Sequence, residues 1–224
     1  DDDHMRNIDA ARWNRVGWMC RDLPRGKVDG YPVHGFPWAH VRYDLDKGDF
    51  VELPGMCEKA EDLRKLVGKE QYYETFKDDP VVHLYTLREG GEAPVEYLEQ
   101  LAEAFGLQVD LRNSDTRAAH ALRLHYAYGM KSTEYIVRQL SAWAKANNRH
   151  VLVLLSYDVP QVMDYLEKGE RFDQPFLDFL EANNHAYVDF LDKQRVDYQD
   201  YSVDVEKYLE RFYIERAGAQ VFGH

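Results

Sequence analysis

An α/β fold is predicted for this chain: a mostly parallel sheet flanked by helices in three layers, with an N-terminal loop and β-hairpin decoration. Three observations predict it. The first is the stretch Arg149-His150-Val151-Leu152-Val153-Leu154-Leu155-Ser156-Tyr157-Asp158, an unbroken apolar run that ends abruptly in polar residues. Apolar on both faces, it reads as a central parallel strand covered by a layer on each side. The second is a helical pattern that ends in Asn-Asn and feeds an apolar strand, at Asn147-Asn148 and again at Asn183-Asn184. Asparagine tolerates the left-handed conformation that closes a helix, so both turns have a mechanism. The third is a change of rhythm near residue 80, beyond which helix and strand patterns alternate as in βαβ units.

At 224 residues, 45% hydrophobic and 30% charged, the chain has the composition of a globular domain with a real core. We read one domain over 1–224, with 1–80 as a loop, hairpin and short-helix insertion or lid and 81–224 as the α/β body. The net charge of −12 argues against general affinity for a nucleic-acid backbone. No apolar run approaches the length of a membrane span, and the opening residues do not read as a signal peptide. Composition leaves the compartment and the oligomeric state open. Cys20 and Cys57 are two free thiols or one disulfide. His120 and His125 are five apart, a spacing that does not align two imidazoles on one helix face.

In order along the chain, Asp1-Asp2-Asp3-His4 reads as a solvated end, with a metal-binding cluster as the less favoured reading. Trp13, Val16 and Trp18 belong to a helix followed by an extended piece. From Pro24 to Pro37 glycine and proline are dense, so this is loop, and Tyr31, Phe36 and Trp38 anchor it to the body or line a pocket. Val41, Tyr43 and Leu45 alternate with polar residues, Asp46-Lys47-Gly48 turns, and Phe50-Val51-Glu52-Leu53 returns, which is a β-hairpin. Short helices are expected over 60–67 and 69–76, and a strand over Val81-Val82-His83-Leu84-Tyr85.

Glu92-Ala93-Pro94 then opens a helix with Val95, Leu98, Leu101, Ala102 and Phe105 on one stripe, capped by Gly106. Residues 107–111 form a candidate strand, and 118–126 a helical segment. Ser132 or Thr133 caps a further helix that turns Ile136, Leu140, Trp143 and Ala144 inward. Another helix starts near Pro160, breaks at Gly169 and resumes after Asp173, burying Phe176, Leu177 and Leu180 before the strand at 186–191. A last helix covers 203–214, and 219–222 starts another strand or loop.

In open α/β sheets ligands collect beyond the carboxyl ends of the strands, which marks Ser156, Tyr157 and Asp158 as candidate substrate-binding residues. Asp189, among apolar neighbours on the next strand, could orient a histidine, cap a neighbouring helix or face solvent. Neither GxGxxG nor GxxxxGK[ST] occurs, nor GxSxG, nor CxxC. No cofactor and no resident metal are expected.

Several segments together resemble the SGNH (GDSL-type) hydrolase superfamily. The C-terminal part, from Leu152 to Asp158 through a helix, Ala186-Tyr187-Val188-Asp189-Phe190 and a further helix to Gly223-His224, is similar to the C-terminal half of that family. His40 to Pro54 with the helix after it resembles members that carry a long insertion, and Asp1 to His4 resembles the tail of the family's third block. The resemblance implies a flavodoxin-like fold and ester hydrolysis or acyl transfer, with His224 as the catalytic base and a small-molecule or carbohydrate ester as substrate. The family's Gly-Asp-Ser nucleophile block and its oxyanion-hole glycine block are absent from these residues, and Val221 stands where the family has aspartate. The second reading is a non-catalytic α/β binding or scaffold protein without a serine nucleophile.

Overall fold

The computed structural model describes residues 2–10, 39–57, 59, 61–62, 74–201, 204–211, 213–216 and 219–222. Trp13, Trp18, Cys20, Tyr31, Phe36, Trp38 and His224 lie outside them, as do most of the residues of the two short helices expected before Phe76. The protein is mixed α/β and divides into two compact units, Asp1–Arg138 and Gln139–His224. Among the described residues, no helix is long and apolar enough to cross a membrane.

The first unit opens with α1 (Asp2–Arg6), after which the backbone carbonyl of Asn7 accepts from Val41 N–H. The hairpin follows as expected: β1 (His40–Asp44) pairs antiparallel with β2 (Asp49–Leu53), from His40↔Leu53 to Asp44↔Asp49. The loop holds four residues, not three. Asp44 accepts from the amides of Asp46 and Lys47, and Gly48 takes φ +65°, where a side chain would be strained. Phe50 packs against Tyr43, Phe105, Tyr128 and Tyr135, with ring centroids 5.3 to 6.5 Å apart. The buried Tyr128 hydroxyl accepts from Tyr43 N–H at 3.1 Å, so the aromatic core also fixes the hairpin.

The strand expected at 81–85 is a helix, α2 (Pro80–Arg88). Asp79 caps it by accepting from Val81 N–H at 2.8 Å, and Pro80 occupies the first turn, where its missing N–H costs nothing. Val81, Val82, Leu84, Tyr85, Thr86 and Leu87 are all buried. A helix buried around its circumference has no polar face, so its sequence lacks the 3.6-residue alternation that separates helix from buried strand. α3 (Glu96–Ala104) follows as expected, closed by Gly106 at φ +68°. Residues 107–111, expected as a strand, pair with no strand among the described residues; Leu111 is buried in the core, and Leu107 and Val109 pack against it half-buried.

One helix, α4 (Arg117–Ala146), replaces the two expected there. Ser132 and Thr133 donate to the Gly129 carbonyl one turn earlier and do not cap a new helix. Gly129 also allows close approach of α1: a Cβ there would lie 3.1 Å from the His4 carbonyl carbon and the Met5 nitrogen.

In the second unit, α4 ends in the predicted asparagine turn, with Asn148 at φ 53° and Arg149 N–H donating to Ala144 O at 2.7 Å. β3 (Leu152–Leu155) runs into α5 (Val159–Lys168), which has a complete capping box between Asp158 and Gln161 and stops at left-handed Gly169. α6 (Gln174–Ala182) carries Pro175 in its first turn and buries Phe176, Leu177 and Leu180, as expected. Asn184, at φ 54°, then turns the chain into β4 (Ala186–Asp189), which pairs parallel with β3 in the register Leu152↔Ala186 to Leu155↔Asp189. α7 (Phe190–Gln199) and α8 (Val205–Leu209) follow. β5 (Tyr213–Arg216) and β6 (Ala219–Phe222) pair antiparallel, so the last helix is shorter than expected.

The described parallel sheet is a two-stranded one. The double coverage expected of the run at 151–155 is not met: Leu155 is buried, but Leu152 and Leu154 on the opposite face are 58% and 59% exposed. Leu140 and Trp143, expected to point inward from α4, are exposed too.

Candidate functional site

Parallel pairing places the carboxyl ends of β3 and β4 side by side. Tyr157 follows the first strand and Asp189 ends the second. The crossover segment between α5 and α6 adds Arg171 and Asp173 to the same place. Arg171 donates from Nε and Nη2 to the two oxygens of Asp173, each at 3.0 Å, and from Nη1 to Asp189 Oδ2 at 2.5 Å. Its Nη2 also donates to the Tyr157 hydroxyl at 2.7 Å, and that hydroxyl donates to Asp173 Oδ2 at 2.6 Å. The guanidinium lies over the rings of Tyr157 and Tyr165, 5.7 and 5.4 Å from their centroids.

The group is almost dry. The side chains of Arg171, Asp173 and Asp189 are 10%, 3% and 12% exposed. Burial opposes the charge on Arg171, and the hydrogen bonds it donates to Asp173 and Asp189 outweigh it, so the guanidinium pKa sits above its ordinary value. Burial, and then the hydrogen bond to Asp173, raise the Tyr157 phenol, which stays protonated. Asp189 uses its other oxygen to cap α7, accepting from the amides of Leu191 and Asp192 at 2.9 and 3.3 Å. Of the roles open to Asp189 in the sequence, helix capping is the one the structure shows, with an ion pair added.

Of the three strand-end residues, Tyr157 is buried in this cluster, Ser156 is exposed beside it, and Asp158 is engaged in capping α5. Arg171 and Asp173 were missed by sequence reading. The available signal was the short connection between the Gly169 break and the Asp173 restart, which has to return to the strand ends. Both carboxylates and the guanidinium are engaged with one another, so the cluster clamps two strand ends together.

A serine and a histidine do meet elsewhere in the same unit. Ser141 Oγ is 3.3 Å from His185 Nδ1, with the ring tilted on Phe179. This pair stands at the amino end of β4, the edge opposite to the clamp. In the first unit His4 Nδ1 is 2.8 Å from Thr133 Oγ1. Among the described residues, no group of three or more His, Cys, Asp or Glu is arranged to hold a metal ion. Cys57 is a half-buried free thiol.

Fold and site together define a mixed α/β protein whose parallel strand pair ends in a buried ionic clamp. Comparison with protein-family models, with curated proteins and with solved structures finds no match for the chain in any of the three.

Proposed function

We propose that this chain supplies the C-terminal α/β portion of an SGNH-like serine hydrolase, an esterase or acyl transferase for which carbohydrate O-deacylation is a candidate reaction. The observation that carries the reading is the β3–α5–α6–β4 crossover. Its parallel register sets the Ser156 to Asp158 segment beside Asp189 at one sheet edge, in the order the family resemblance implies. The uncovered Leu152 and Leu154 support it as well, because a parallel sheet is ordinarily covered on both faces. On this reading β3 and β4 belong to a wider flavodoxin-like sheet in a three-layer sandwich.

The chemistry needs a serine from a Gly-Asp-Ser block, which none of these 224 residues provides, so the reading assigns the nucleophile to sequence outside them. His224 is the base that takes the serine proton as the oxygen attacks the ester carbonyl. Backbone and asparagine donors hold the oxyanion, and the alcohol leaves with the proton returned by histidine. Ser156 and the backbone on either side of the clamp line the acyl or sugar pocket. The clamp keeps that wall rigid without taking part in bond making.

The test is fluorophosphonate labelling of the natural gene product, followed by peptide mapping. A label on a serine in a Gly-Asp-Ser segment is the expected result. Absence of any label on that product overturns the hydrolase and leaves the α/β binding or scaffold protein. A label on Ser141 or Ser156 would retain an esterase but break the family assignment.

A further inference from the structure

His125 on α4 has 0% exposure, and its Nδ1 is 2.9 Å from Nη1 of Arg88 on α2. A guanidinium has donors and no acceptor, so Nδ1 must accept, which assigns a neutral ring with its proton on Nε2. The buried Nε2 has no hydrogen-bond partner. The ring meets Tyr85 edge-on at 4.8 Å, and Arg88 lies 5.1 Å over the same tyrosine. From α1 the neighbouring group is uncharged, the Met5 sulfur 3.9 Å from Arg88 Nη1. Arg88 is the one charged group that acts on the imidazole among the described residues, and Tyr85 the one titratable side chain shown in contact with it.

We propose that the Arg88–His125 hydrogen bond is an acid-sensitive latch of the first unit, holding α2 on α4 while the imidazole is neutral and releasing it on protonation. A proton on Nδ1 would remove the acceptor and leave two cations 2.9 Å apart in a dry site with no carboxylate between them. Burial first, and Arg88 second, hold the His125 pKa down at about 3. In the unfolded chain an imidazole titrates near pH ~6.5. Between these values the unfolded chain binds the extra proton. The stability contributed by neutral His125 is therefore complete above pH ~6.5 and drains away as pH falls toward 3. Each pH unit in that window multiplies the unfolding equilibrium constant by about ten.

The experiment is urea unfolding of the full 224-residue chain at pH 7.5 and pH 5.0, for wild type and for His125→Asn. Asparagine Oδ1 can accept from Arg88 but does not titrate. The wild-type unfolding constant should rise about thirtyfold more than the variant's between the two pH values. Equal rises in the two proteins overturn the latch. Should the variant fail to fold, histidine ring NMR on the wild type decides. A His125 signal that remains the neutral Nε2–H tautomer at pH 5 upholds the proposal, and titration near pH 6.5 in the folded protein refutes it. The latch lies in the first unit and stands or falls independently of the hydrolase reading.

Discussion

Changing Arg171 to methionine keeps much of the side-chain volume and removes the only cation the strand-end clamp contains. Asp173 would lose two of its three side-chain hydrogen bonds and keep the one from Tyr157. Asp189 would keep the α7 amides on one oxygen and have nothing on the other in place of Arg171. Breaking a buried ion pair by deleting one partner costs about 3–5 kcal/mol, because an uncompensated charge stays in the low-dielectric interior. The remaining amide and phenol donors place this case near the lower end, about 3 kcal/mol, roughly a hundredfold in the unfolding constant. Native-state hydrogen exchange at the β3 and β4 amides gives the local readout and urea unfolding the global one. Arg171→Lys should recover little of the loss, since an ammonium cannot meet Asp173 with two parallel donors while reaching Asp189. A loss under about 1 kcal/mol for Arg171→Met, with unchanged exchange at 152–155, would refute the view that the clamp holds the strand ends together.

Two further outcomes concern Gly129 in the first unit and Leu154 in the second. Gly129→Ala should cost about 1–3 kcal/mol and selectively raise exchange in α1, because the new Cβ meets backbone atoms at 3.1 Å that cannot rotate away. Leu154→Lys should shift the stability of this 224-residue chain by less than about 0.5 kcal/mol, since the side chain is 59% exposed. In the natural gene product, where the proposal requires a covering layer, the same change should cost several times as much, and urea midpoints of the two proteins make the comparison.

Local chemistry explains which elements were legible. Gly48, Gly106 and Gly169 and the asparagines Asn148 and Asn184 all take positive φ where a turn or helix end was read. The hairpin at 40–53, the helix after Pro94, the broken helix around Gly169 and the strands beginning near 152 and 186 all followed from such signals. Failures arose where a decision depended on neighbours remote in sequence. Residues 81–85 are β-branched and apolar enough for a strand, yet Asp79 and Pro80 start a helix there and its surroundings bury every side. Residues 107–111 alternate like a strand, but among the described residues no partner runs beside them. Ser132 and Thr133 have capping side chains, but the Gly129 carbonyl takes them one turn back and α4 runs unbroken through all 30 of its residues.

The site divides in the same way. Tyr157, Asp158 and Asp189 could be marked in the sequence because strand ends are marked by where an apolar run stops. Nothing local ties Arg171 to Asp189, 18 residues on, or to Tyr157, 14 residues back. Sequence by itself determined the α/β character, the punctuation of helices by glycine and asparagine, and the stretch where the strands end. These depend on backbone preferences that each residue carries wherever it is placed. Tertiary structure alone decided that Arg171 closes the strand ends, that His125 sits dry against Arg88, and that Leu152 and Leu154 face outward. Burial and ion pairing are properties of which surfaces meet, and a residue carries no record of its distant neighbours.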